Sequence, residues 1–165
     1  MAEQAPQRII ELANSEIADF GLDPIIINAV KTENAKGKTI AQIKETDAKW
    51  MATAGVDDFM RSLMESEVGK HLVAIRSSRP YIAEIFVMDN QGANVAMSDK
   101  TSDYWQGDEP KWQKSFNNGQ GAIFIDDVKF DASSQAYLVQ VSVPVKDGEK
   151  AIGSITFGID IDKVK

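Results

Sequence analysis

The chain has 165 residues, enough for one domain around one core. Its formal net charge of -7 argues against a nucleic-acid partner, because phosphate binding needs clustered Lys and Arg. The absence of cysteine excludes thiol nucleophiles, disulfides and thiolate metal sites, and a single histidine, His71, argues against a His-based metal site or a Ser-His-Asp triad within one chain.

The first residues, Met-Ala-Glu-Gln-Ala-Pro, have no basic n-region and no apolar h-region; the expectation is that a signal peptide was removed and a start Met added. Ile9, Ile10, Leu12, Ala13, Ile17 and Phe20 predict a first helix, stopped by Gly21. Asp23-Pro24 predicts the start of a second, running to about Ala35, with Asp23 as N-cap. A third starts near Thr39 and puts Ile40, Ile43, Trp50, Met51 and Asp47 on one face. Buried among these, Asp47 reads as a hydrogen-bonded structural acid before a functional one. A fourth starts at Asp57 or Asp58 and continues through Val68, Leu72 and Ile75 until Pro80 forbids more. On it, His71 follows Glu67 by one turn and predicts a helix-surface pair.

After Pro80 the apolar spacing changes from helical to alternating. Tyr81–Met88 is apolar on both faces except at Glu84, which suits a buried central strand. The turn Asp89-Asn-Gln-Gly92 leads to a second strand, Ala93–Ser98. Residues 99–120 break the pattern and predict a loop leading into a short helix, with Asp108 as N-cap and Asn117-Asn-Gly119 as its stop. Ala122–Phe130 predicts a third strand. In Tyr137–Val145, the fourth, Tyr137 and the valines alternate with Leu138, Gln140, Ser142 and Pro144. Asp147-Gly148 predicts a tight turn into the fifth, Ala151–Ile161. The fold class is therefore α+β: a five-stranded antiparallel sheet with N-terminal helices on one face. Residues 1–80 form the helical segment and residues 81–165 the sheet, together one domain.

Three places could carry chemistry. The segment 98–112 brings Tyr104, Trp105 and Trp112 beside Asp103, Asp108 and Glu109. Aromatic walls with a few charges suit a pocket for a small polar ligand, and with carboxylates a cationic one. Equally, the rings could plug one end of the core. Asp131-Ala-Ser-Ser134 with Tyr137 reads first as a turn whose side chains satisfy the backbone, and second as ligand contacts that include Asp131 and Ser133. Gln140 and Ser142 share the strand face opposite the valines, which meets either solvent or a pocket. Asp126-Asp127 could hold a cation. No nucleophile elbow, phosphate loop, HExxH or EF-hand pattern is present, and carboxylates as close in sequence as Asp103, Asp108 and Glu109 make a poor case for a glycosidase, so no enzyme and no cofactor are expected.

The run Ile82-Ala-Glu-Ile-Phe-Val-Met-Asp89, then Thr101-Ser-Asp-Tyr-Trp-Gln-Gly-Asp-Glu109, Lys111-Trp112, Phe130-Asp131, Gln140-Val-Ser-Val-Pro144, Ile152-Gly153 and Phe157-Gly158 resembles the single Cache (PDC) sensor domains of bacteria. That resemblance implies a PAS-like sheet, a periplasmic or otherwise extracytoplasmic setting, and a small ligand such as an amino acid, carboxylate or amine. It implies a pocket between the sheet and the 98–112 segment, and favours Tyr104, Trp105, Trp112, Asp131, Ser133, Tyr137, Gln140 and Ser142 as its lining. Beyond the ligand, it suggests a membrane receptor or histidine kinase as partner; a homodimer is a separate expectation, one that would favour the competing reading. The competing expectation is a structural or protein-interaction domain that uses the same fold without a ligand.

Overall fold

The four helices that follow the first each begin where the sequence supplies a side-chain cap. A computed structural model describes residues 2–164; Met1, on which the expected start lies, falls outside them. The first helix, α1 (Gln7–Leu12), widens into a π turn at Ala13–Ile17 and tightens into a 3-10 turn at Phe20–Leu22. Asp23 accepts the Ile25 N–H and opens α2 (Pro24–Ala35). Thr39 and Gln42 form a reciprocal capping box at the start of α3 (Ile40–Met51). Asp57 caps α4 (Asp58–Glu65), and Ser66 caps α5 (Glu67–Ser78).

The single fourth helix expected from the sequence is therefore two. The apolar spacing runs on past Ser66, but Ser66 is extended (φ -61°, ψ 166°) and its hydroxyl accepts the Gly69 N–H, which starts a new helix. His71 also finds a different partner from the one expected. Its Nε2 lies 2.7 Å from Asp23, the cap of α2, and ties α5 to α2.

The sheet holds β1 (Ile82–Met88), β2 (Asn94–Met97), β3 (Phe124–Ile125), β4 (Lys129–Asp131), β5 (Ala136–Asp147) and β6 (Lys150–Asp160). It is antiparallel, in the order β2-β1-β6-β5-β3, with β4 also paired to β5. The third strand expected over Ala122–Phe130 is thus two short strands on the same edge of β5. Between them Asp126 N–H still reaches the Gln140 carbonyl, while Val128 N–H turns to Glu3.

One sheet face carries Val139, Val141, Val143, Val145, Ile155, Phe157 and Ile159 and packs on α1, its π turn, α2 and α5. This is the α+β architecture the alternation predicts, an antiparallel sheet with N-terminal helices packed on one face. The opposite face carries Glu84, Phe86, Gly158, Thr156, Gln140 and Ser142, as the register of β1, β6 and β5 dictates. A short helix, α6 (Pro110–Phe116), covers one end of that face and leaves the other open. A second, smaller core of Ile43, Trp50, Met60, Phe86, Met88, Met97 and Tyr104 forms where α3 and α4 meet the 98–112 segment.

Candidate functional site

The 98–112 segment is seated by backbone contacts. Gln106 N–H donates to the Gly92 carbonyl and Ala93 bridges Trp105. Gly92 permits this approach: its φ is 88°, and a β-carbon there would stand 2.4 Å from the Gly107 Cα. From the other side Asp47, on α3, accepts the N–H groups of both Tyr104 and Trp105 at 3.0 Å. Trp50 Nε1 donates to the Thr101 carbonyl at 2.8 Å.

The aromatic residues of the segment serve this seating. Tyr104 is buried, its ring 5.6 Å from Trp50 and 5.5 Å from Phe59. Trp105 Nε1 donates to the Gln91 carbonyl and Trp112 Nε1 to the Asp89 carbonyl, both at 2.9 Å. Trp112 stacks on Phe116 with centroids 5.0 Å apart. Asp108 does not cap α6: Glu109 holds the cap position, without a side-chain cap bond, and Asp108 is exposed.

Between this segment and the open end of the sheet face lie two adjoining cavities of about 470 and 380 Å³. Both are lined by Glu84, Lys111, Asp131 and Gln140. Each volume falls within the roughly 300–1,000 Å³ of small-molecule sites. The register explains the floor. Glu84 on β1 pairs with Gly158 on β6, which pairs with Gln140 on β5, so the three form one row across the sheet. Gly158 has no side chain to fill that row, and a β-carbon there would lie 2.7 Å from Glu84 Cγ. Gln140 Nε2 approaches Glu84 Oε1 at 3.4 Å.

The site is strongly charged. Burial raises the Glu84 carboxyl above the ordinary carboxylate range; the Gln140 amide and the Lys111 charge oppose this, and Asp131 adds to it. Asp131 is held low, chiefly by the Ser134 hydroxyl and also by Ser133. Both hydroxyls donate to its carboxylate, at 2.6 Å from Ser134 and 2.9 Å from Ser133. Lys111 pairs with Glu109 at 2.9 Å, and Lys129 with Asp126 at 2.9 Å. Outside the cavity lining, burial and then the Glu109 charge raise the Asp103 carboxyl.

Of the residues named from the sequence, Asp131, Ser133 and Gln140 come together at the cavities, and Glu109, Asp126 and Asp127 line the first of them. Tyr104, Trp105 and Trp112 line neither cavity and take part instead in the packing that seats the segment. Ser142 is buried one row along the sheet, its hydroxyl 2.7 Å from that of Thr156. Tyr137 is exposed on the outer edge, its ring 5.2 Å from Phe130. Cavity residues not named as candidates include Glu84, Lys111 and Gln106. Glu84 carried a signal, as the one charged residue inside an apolar strand.

No family model matches the chain, and no curated protein matches it. Solved structures are similar to it in fold. They include the ligand-binding domain of the Campylobacter jejuni chemoreceptor Tlp3 in complex with 4-methylisoleucine, at 14% identity and a TM-score of 0.47, over 93% of this chain and 62% of that one. The sensor domain of the V. cholerae histidine kinase DctB is similar at 15% identity and a TM-score of 0.47, over 93% of this chain and 58% of that one. The ligand-binding domain of the Pseudomonas aeruginosa PAO1 amino acid chemoreceptor PctC, in complex with GABA, is similar at 12% identity and a TM-score of 0.42, over 90% and 60%. These neighbours are sensor domains of chemoreceptors and of a histidine kinase, and the chain spans about three-fifths of the length of each. Among the described residues no helix is long and apolar enough to cross a membrane.

Proposed function

We propose that the chain is an extracytoplasmic ligand-binding domain that senses a small metabolite, an amino acid, carboxylate or amine, in the cavities between the sheet and the 98–112 segment. The observation that carries this reading is the open end of the second sheet face. A sheet face left bare by packing would present a flat row of side chains. Here Gly158 hollows the row, Glu84 and Gln140 converge on it, and a tethered segment walls it. Periplasmic location and coupling to a membrane receptor or histidine kinase belong to the same proposal, as does the treatment of residues 1–165 as one domain without enzymatic activity.

A thermal-shift screen of amino acids, carboxylates and amines tests it. A ligand at one hundred times its dissociation constant should add about 2.7 kcal/mol to stability, which raises the melting temperature visibly. A screen in which no metabolite moves the melt would count against binding. One observation favours the interaction-domain reading: Phe130 and Tyr137 pack edge to face while 53% and 50% exposed. Sedimentation of Phe130→Ser/Tyr137→Ser against the parent chain separates the two readings. Loss of a dimer on substitution supports the interaction role.

A further inference from the structure

Within the proposed binding site, the unpaired groups are mostly of one kind. Of the lysines on the cavity walls, Lys111 is held by Glu109 and Lys129 by Asp126. Lys100 donates to the carbonyls of Thr53 and Gly55 at 3.0 and 2.6 Å. The carboxylates differ: among the described residues Glu84 has only the long contact from Gln140, and Asp131 only the hydroxyls of Ser133 and Ser134 and the Ser133 N–H beside it. A separate observation points the same way. Gln106 lines the second cavity and is only 2% exposed. Its Nε2 donates to the Asp103 carbonyl at 3.0 Å, which fixes the amide orientation, and its buried Oε1 has no hydrogen-bond partner among the described residues. An unsatisfied buried acceptor costs free energy unless a donor is supplied.

We infer that the inner end of the ligand is an organic ammonium group, with Glu84 as its counter-charge and Gln106 Oε1 as a neutral acceptor of one of its N–H bonds. An ammonium brings several N–H donors and no acceptor, which complements walls whose spare capacity is to accept. A carboxylate in the same place would face Glu84 and Asp131 with its own charge, and would have to draw a lysine away from an existing partner. Gly158 belongs to the device, since the Glu84 side chain lies across the space a larger residue would take. Burial already opposes the Glu84 charge, and a cation beside it relieves that opposition.

This inference rests on the binding reading above, and the test separates the two. Isothermal titration of the full chain compares n-butylamine and 1,4-diaminobutane with butanoate and butanedioate. The expected result is heat of binding from the amines alone, with affinity reduced at least about tenfold in Glu84→Gln. Gly158→Ala, which keeps the carboxylate but crowds it, should weaken the same amines by a smaller factor. Both variants are first shown to melt cooperatively. Binding of the carboxylates without the amines overturns the ammonium assignment and leaves the binding reading standing. So does amine affinity unchanged in both folded variants. Silence from all four probes, together with a silent metabolite screen, overturns both.

Discussion

Glu84 shows how a single position can oppose its own fold. A carboxylate inside an apolar strand costs desolvation, and burial accordingly holds its proton more tightly than in the unfolded chain. The folded state therefore binds more protons than the unfolded one between the unfolded value, near about 4.3, and the raised folded value. Stability drawn from this group is complete below that window and is lost as pH rises through the folded pKa. Glutamine keeps the shape and does not titrate. Glu84→Gln should therefore be more stable than the parent at neutral pH, by on the order of 1 kcal/mol. Urea unfolding at about pH 4 and pH 7 checks it. The gap between the two proteins should widen toward neutral pH; a gap independent of pH would show that Glu84 is not penalised by burial. This residue stood out in the sequence because a charge interrupts an apolar strand. Gln106 did not, because its burial follows from the Gly92 contact of its backbone and from no local pattern.

Elements were legible where one physical signal governs them. The alternation in β5 predicts which residues face the helices and which face away, and the register confirms Gln140 and Ser142 on the latter face. The caps Asp23, Thr39 and Asp57 mark the helix starts. Legibility failed where signals compete. Ser66 breaks a helix that its apolar spacing continues, and Asp126-Asp127 interrupts a strand that its flanking residues suggest. The aromatic residues of the 98–112 segment fit pocket and core equally well by composition, and only the partners of their N–H groups show how they are used. Asp47 is the element-scale hinge of that arrangement, since one carboxylate oxygen receives two N–H groups from the segment. Asp47→Ala leaves both donors without that acceptor and should cost about 2 kcal/mol. Hydrogen exchange should localise the loss, with the Tyr104 and Trp105 amides losing protection while the β5 and β6 amides change only with global stability. Unchanged protection at those two amides would show that Trp50 and Gly92 suffice to hold the segment.

At the scale of the whole molecule, the helical layer, the sheet and the 98–112 segment meet at one buried ion pair. Lys38, in the connection between α2 and α3, lies 3.0 Å from Asp89, whose side chain is 1% exposed. Asp89 begins the β1–β2 turn, and its Oδ1 accepts the N–H groups of Gln91 and Ala93. Its carbonyl receives Trp112 Nε1 from α6. Burial alone would lower the Lys38 pKa, but the hydrogen bond to Glu33 and the Asp89 charge outweigh it and hold it above the ordinary lysine value. Removing one partner from such a pair is costlier than the pair is worth, because the other charge remains buried. Lys38→Met should thus destabilise the chain by about 3 kcal/mol. Adding Asp89→Asn to Lys38→Met should recover part of that loss, because the amide keeps an acceptor for the turn and removes the stranded charge. Since the pair touches every layer, the loss should appear as one earlier transition, with tryptophan fluorescence and far-ultraviolet circular dichroism moving together in urea. If fluorescence moved first and dichroism held, the 98–112 segment would be a separate cooperative unit, joined to the sheet by Lys38 and Asp89 without sharing its stability.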